Sequence, residues 1–135
     1  LTDHEKNKIG IKNYKFTMLA TIVKDFKKYH LGAHTDNPKK LITFLFYLPK
    51  DMSLENLGTS IYECKPNVDP LKLEGHLTAE DTMEKFIKVK TCKFVPNSLL
   101  IFPRTNYTFH GVDEVNMESN ERDLLLFNYY IYGEK

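Results

Sequence analysis

The chain has 135 residues, 19 basic and 18 acidic side chains, a formal net charge of +1 and 41% hydrophobic content. That length suits one domain over residues 1–135 with a sizeable core, and the near-neutral charge excludes a global electrostatic attraction to nucleic acid or to a membrane. Cys64 and Cys92 have the spacing of neither a zinc module nor a disulfide framework, so each is expected as a buried free thiol in a reducing, cytoplasmic setting.

Residues 1–13 are polar and read as coil or a frayed helix end; the first residue is Leu1 rather than Met, so a truncated N-terminal part is expected. No apolar run has the length of a membrane span, and no signal peptide is visible. Residues 14–23 are rich in aromatic and β-branched side chains and predict a strand, and residues 29–34 predict a second. Asn37-Pro38 marks a turn. Residues 41–48 form the clearest strand, apolar on both faces, which places it centrally with cover on both sides. A short helical turn is expected over residues 52–56, a strand over 58–64 and a loop over 67–75. Thr78, followed by Glu80 and Asp81, caps a short helix reaching Glu84. Four strands follow, over residues 86–95, 99–102, 107–112 and 122–132, divided by Pro96-Asn97-Ser98, by residues 103–106 and by the polar stretch 114–121. Short strands at this spacing predict an all-β sandwich or barrel of the jelly-roll kind, with little helix. Lys24, Lys27, Lys28, Lys39 and Lys40 gather near the second strand, either as a solvated strand edge or to steer an anionic co-substrate.

His34 and Asp36 are two positions apart at the end of the second strand, so in an extended segment they point to one side. With His110 as a third member they make a two-histidine, one-carboxylate facial triad, a set that suits non-haem Fe(II) and leaves positions open for a co-substrate and dioxygen. Taken singly, His34-Thr35-Asp36 also reads as a solvated loop, and His110 as a core histidine satisfied by one hydrogen bond. The 19 basic residues include two arginines. Arg122 opens an apolar strand on the face of Leu124 and Leu126, where an unpaired guanidinium is costly; it either binds an anionic ligand bidentately or snorkels to solvent. Arg104, between Pro103 and Thr105, reads as a turn residue. Tyr47 ends the central strand as a buried phenol that needs a polar partner, either as core filler or against a ligand carboxylate.

The ordered set His34-Thr35-Asp36-Asn37-Pro38, Phe46-Tyr47-Leu48-Pro49-Lys50-Asp51, Phe94 to Phe102, Phe109-His110-Gly111-Val112 and Arg122 at the head of the final strand resembles the Fe(II)- and 2-oxoglutarate-dependent dioxygenases, most closely the prolyl-hydroxylase-type branch. The resemblance runs from about residue 20 to residue 132 and implies a double-stranded β-helix with iron on His34, Asp36 and His110. It further implies that Arg122 binds the far carboxylate of 2-oxoglutarate with Tyr47 as a second contact. The implied reaction is hydroxylation with release of succinate and carbon dioxide, using dioxygen and stimulated by ascorbate.

Departures from the family pattern are also visible. Arg122 follows His110 by twelve positions, a slightly long interval for this branch. Leu57-Gly58 stands where a glycine pair is common, so a bulkier side chain alters the pocket rim. Leu124 lacks the hydroxyl that some plant-type relatives turn to the co-substrate. Asn128 stands where nucleic-acid demethylases of the superfamily carry a second arginine, which argues against a DNA-repair role. An acid at Asp36 favours hydroxylation or desaturation over halogenation. The substrate, a small molecule or a peptidyl residue, would be chosen by the loops 49–57, 66–85 and 113–121, which carry no legible signature; nor does the sequence fix an oligomeric state. The competing reading is a non-catalytic or cupin-like metal- or ligand-binding β-helix module.

Overall fold

The computed structural model describes residues 13–73, 75–115 and 121–134. Eight strands, β1 (Asn13–Asp25), β2 (Leu31–His34), β3 (Lys40–Tyr47), β4 (Thr59–Cys64), β5 (Phe86–Thr91), β6 (Ser98–Pro103), β7 (Phe109–Val112) and β8 (Arg122–Glu134), form two four-stranded antiparallel sheets. One sheet runs β1-β8-β3-β6 and the other β2-β7-β4-β5. Among the described residues one helix, α1 (Ala79–Lys85), follows a 3-10 turn at Pro70–Lys72.

Alternation along each strand decides what enters the space between the sheets. From the first sheet Asp25, Thr43, Leu45, Tyr47, Phe102, Arg122 and Leu124 are all buried. Leu45, Tyr47, Leu54, Phe94, Phe102 and Leu124 make the main apolar cluster. A second cluster of Ala33, Tyr62, Phe86 and Phe109, with Leu73 and Leu77 packed on it, lies on the other side of the second sheet, opposite His34 and His110. α1 seals that side. Its cap Thr78 accepts from the Asp81 amide at 3.0 Å, and Thr82 Oγ1 accepts from the Ala33 amide at 2.9 Å. The chain there passes so close to β2 that a Cβ on Gly32 would stand 1.8 Å from the Leu77 carbonyl oxygen; only glycine admits this approach.

The expected strands are all present, with shifted ends. The strand expected over 86–95 stops at Thr91. Beyond it the Cys92 amide donates to the Thr59 carbonyl at 2.9 Å and the Phe94 amide to the Glu55 carbonyl at 2.8 Å, which turns Phe94 into the core. Residues 52–56 make linked turns rather than a helix, with Glu55 and Leu57 amides donating to Met52 and Leu54 carbonyls. β3 is central, between β8 and β6, but the second sheet covers one of its faces; Ile42 on the other is 37% exposed. Cys64 and Cys92 are free thiols of intermediate burial. Of the coil expected over residues 1–13, Asn13 instead opens β1, and the rest, with most of the polar stretch 114–121, lies outside the described residues.

Phe94 is fully buried, its ring 4.7 Å from that of Tyr47. Phe94→Ala removes an aromatic from the main cluster and is expected to cost about 3–5 kcal/mol. Ile22→Ala, at a side chain 77% exposed, should change stability by less than about 0.5 kcal/mol. Urea unfolding of the two variants checks the contrast; similar losses would contradict the placement of the core.

Candidate metal centre and its cavity

β2 and β7 pair so that His34 lies directly across from His110. Cross-strand partners present side chains to one face, so both imidazoles enter the space between the sheets. Asp36 follows β2 by two positions and turns its carboxylate to the same place. Ligand atoms of His34, Asp36 and His110 all lie within 4.8 Å of one another, and the His110 and His34 ring centroids are 4.4 Å apart. Phe102 backs the His110 ring at 4.4 Å.

Backbone carbonyls fix the tautomers. His34 Nδ1 donates to the Gly32 carbonyl at 3.0 Å and His110 Nδ1 to the Thr108 carbonyl at 3.2 Å. Each ring therefore keeps its proton on Nδ1 and offers the lone pair of Nε2, the arrangement such partners impose on metal-binding histidines. Burial, with His110 nearby, pushes His34 down to about 4; burial also lowers His110, against the pull of Asp36. Burial alone would raise the Asp36 carboxyl, but Lys40 and Thr43 outweigh it and hold it below its ordinary value. At neutral pH the set is two neutral imidazoles and one carboxylate, the donor set and protonation state that a divalent first-row metal requires. The residues fit such an ion.

Asp36 is already engaged on both oxygens. Lys40 Nζ donates to Oδ1 at 2.7 Å and Thr43 Oγ1 to Oδ2 at 2.6 Å. The two oxygens together have about four acceptor sites, so each retains a lone pair for a cation. Lys40 departs from the solvated-edge reading: its side chain, 13% exposed, is part of the site. Lys24, by contrast, turns outward to Glu121 and Asp123.

Arg122 is 1% exposed. Its Nε donates to the Leu57 carbonyl at 2.7 Å, and Nη1 forms a close ion pair with Asp25, its cross-strand partner. Nη2 is buried and has no hydrogen-bond partner among the described residues. The guanidinium lies 5.0 Å from the Phe94 ring centroid and 5.8 Å from that of Tyr47, within cation–π range. The Tyr47 hydroxyl donates to Thr59 Oγ1 at 2.8 Å and accepts from the Thr59 amide at 3.1 Å. Tyr47 thus finds its polar partner in the protein, and Thr59 stands between it and the cavity.

A cavity of about 250 Å³ between the sheets is lined by His34, Asp36 and His110 and also by Arg122, Asp25 and Thr59. Outside it, a cleft of about 600 Å³ is lined by Thr35, Asp36, His76 and Arg104. Cavity and cleft meet at Asp36 and His76, which line both. Arg104 is anchored there, with Nε donating to the Asp36 carbonyl at 3.0 Å and Nη1 to Asn106 at 2.7 Å. A further hollow of about 340 Å³, lined by residues such as Leu31, Tyr62, Met83 and Phe86, includes no member of the triad.

Sequence reasoning singled out His34, Asp36, His110, Arg122 and Tyr47. It missed Asp25, Thr43 and His76, and it misplaced Lys40. Asp25 carried a usable signal, since it shares the inward parity of Val23, and a lone acid on a buried face demands a cation. His76, whose ring centroid is 4.4 Å from that of His34, lies in a loop with no periodicity to place it.

No family model matches the chain, and no curated protein matches it. Among solved structures, HygX from Streptomyces hygroscopicus with iron bound is similar at 16% identity and a TM-score of 0.46, over 85% of this chain and 58% of that one. The same protein with nickel and 2-oxoglutarate bound is similar at 15% identity and a TM-score of 0.48, over 96% and 64%. A chain of the Bacillus endospore appendages, described as disulfide-linked pili, matches at 11% identity and a TM-score of 0.36, over 87% of each chain. The chain thus spans 58% to 64% of the length of HygX. No helix among the described residues is long and apolar enough to cross a membrane.

The neutral burial of His34 has a consequence for the metal-free protein. Its folded pKa of about 4 lies below its ordinary 6.5, so the unfolded chain takes the proton first as pH falls. The stabilisation is complete above an ordinary histidine pKa and is lost as pH falls toward the folded value, amounting to about 3 kcal/mol at most. Urea unfolding at about pH 7 and about pH 4.5 should show this loss, and His34→Asn should reduce it, leaving the share of His110. An unchanged pH dependence in that variant would contradict the assignment.

Proposed function

We propose that the chain is an Fe(II)- and 2-oxoglutarate-dependent oxygenase of the prolyl-hydroxylase-like branch, a dioxygenase that hydroxylates a small-molecule or peptidyl substrate. The observation that carries this is one cavity holding both a His34, Asp36, His110 donor set and the buried, partly unpartnered guanidinium of Arg122. The strand order supports it: we read strands one, eight, three and six in one sheet and two, seven, four and five in the other as an eight-stranded jelly roll, or double-stranded β-helix. In this reading residues 1–135 act as a single oxygenase domain.

When bound, iron and 2-oxoglutarate supply the oxidising chemistry: with dioxygen, the co-substrate goes to succinate and carbon dioxide while the substrate gains a hydroxyl, and ascorbate keeps the metal reduced. His34, Asp36 and His110 would hold the metal. The Gly32 and Thr108 carbonyls keep the imidazoles in the binding tautomer, and Thr43 orients the carboxylate. Arg122 would donate through its unpartnered Nη2 to the far carboxylate of the co-substrate, a charge-assisted bond. Tyr47 supports that end through Thr59, to which its hydroxyl is bonded. Leu45, Phe102, Val112 and Leu124 give the cavity an apolar wall, and a wall of low polarity strengthens the charge interactions beside it. The substrate enters by the outer cleft past His76 and Arg104.

One observation favours a second reading, a non-catalytic or cupin-like binding module: the Lys40 ammonium satisfies Asp36 without a metal. Turnover separates the two. Protein supplied with Fe(II), ascorbate and 2-oxoglutarate should release succinate even without substrate, and His110→Ala or Asp36→Ala should abolish it. Metal binding without succinate release would favour the module. Arg122→Ala should weaken 2-oxoglutarate more than about tenfold, from loss of a buried charge-assisted contact, while leaving metal affinity within about threefold; equal losses would refute the role given to Arg122.

A further inference from the structure

The end of the cavity assigned to the co-substrate already contains an anion. Asp25 is 4% exposed and Arg122 1%; they face each other across β1 and β8, and both line the cavity. A guanidinium can receive a carboxylate bidentately on two edges, one made of Nε and Nη2, the other of Nη1 and Nη2. The Leu57 carbonyl takes Nε at 2.7 Å and Asp25 takes Nη1. Each edge is therefore half used, and the free donor common to both is Nη2, buried without a partner among the described residues.

We propose that Asp25 is a specificity-determining residue of the co-substrate site, a resident carboxylate that confines an incoming carboxylate to Arg122 Nη2 and takes up a proton when that carboxylate binds. The inference rests on the oxygenase reading above and adds to it a cost and a selectivity. Two carboxylates on neighbouring nitrogens of one guanidinium repel each other, and like charges in a shared site drive one pKa upward. The groups facing Asp25 do not relieve this. From β8 it meets Arg122 and the carboxylate of Asp123, and from the segment after β1 the phenol of Tyr29, whose pKa burial and Asp25 push up and which stays neutral. Lys24, next to it on β1, is turned to Glu121 and Asp123. Before any ligand arrives, burial already raises the Asp25 carboxyl, against the pull of Arg122. Asp25 is therefore the group placed to accept the proton. The site then discriminates by charge: a 2-oxo acid with a far carboxylate carries the proton cost, and one without it does not.

Calorimetric titration of the nickel(II)-loaded protein, repeated in buffers of different ionisation enthalpy, counts the protons taken up. The expected result is uptake of about one proton per 2-oxoglutarate near neutral pH and almost none for pyruvate, which lacks the far carboxylate. In Asp25→Asn the uptake should vanish and 2-oxoglutarate should bind about tenfold tighter, because the repelling charge is gone. Binding of 2-oxoglutarate by the unaltered protein without proton uptake would overturn the role of Asp25 and leave the oxygenase reading standing. No binding by either protein would overturn both. Should the variant fail to fold, the proton count on the unaltered protein decides alone.

Discussion

The register of β2 on β7 is the constraint on which the centre depends. Because side chains alternate along a strand, a slip of one residue would carry His34 or His110 to the other face of the sheet and replace it with an apolar neighbour. Two glycines hold that register. Gly32 admits the Leu77 carbonyl beside β2, and a Cβ on Gly111 would come within 2.4 Å of the Leu31 carbonyl oxygen across the β2–β7 pair. Ala33 and Phe109, the immediate neighbours of the histidines, are drawn to the opposite side by the cluster with Tyr62 and Phe86. The apolar packing on one side of the sheet thus positions the imidazoles on the other.

Charge is the second organising element. Two ion pairs stand at the two ends of one cavity, Lys40 with Asp36 and Arg122 with Asp25. Burying a charge is tolerable only when it is paired and hydrogen-bonded, and each pair meets that demand with further donors or acceptors, Thr43 at one end and the Leu57 carbonyl at the other. Neither pair is saturated. Asp36 retains lone pairs for a cation, and Arg122 retains one unbonded nitrogen. The cavity is thus charge-balanced yet keeps an acceptor to spare at Asp36 and a donor to spare at Arg122.

Much of this was legible in the sequence because it is local. Strand positions followed from β-branched and aromatic runs cut by Asn37-Pro38, Pro49 and Pro96-Asn97, and the i, i+2 spacing of His34 and Asp36 placed them on one side. Arg122 stood out as a guanidinium on an apolar face. The partners of these residues were not legible, because pairing joins distant parts of the chain. Asp25 meets Arg122 only through the antiparallel match of β1 with β8, 97 residues apart. Lys40 reads as one of several exposed lysines until the turn at Asn37-Pro38 folds it back on Asp36, and the early end of β5 reflects the pull of the core on Phe94. The strand pattern pointed to a sandwich or barrel of the jelly-roll kind; which strands share a sheet is set by long-range pairing.

The central claim is that His34, Asp36 and His110 together hold a divalent metal beside Arg122. Anomalous diffraction from crystals grown with manganese(II) and 2-oxoglutarate tests it most directly. The account predicts a metal peak about 2.0–2.3 Å from His34 Nε2, His110 Nε2 and an Asp36 oxygen, with the far carboxylate of the co-substrate on Arg122 Nη2. A metal bound elsewhere, or Asp36 still closed on Lys40 with no peak between the histidines, would contradict it.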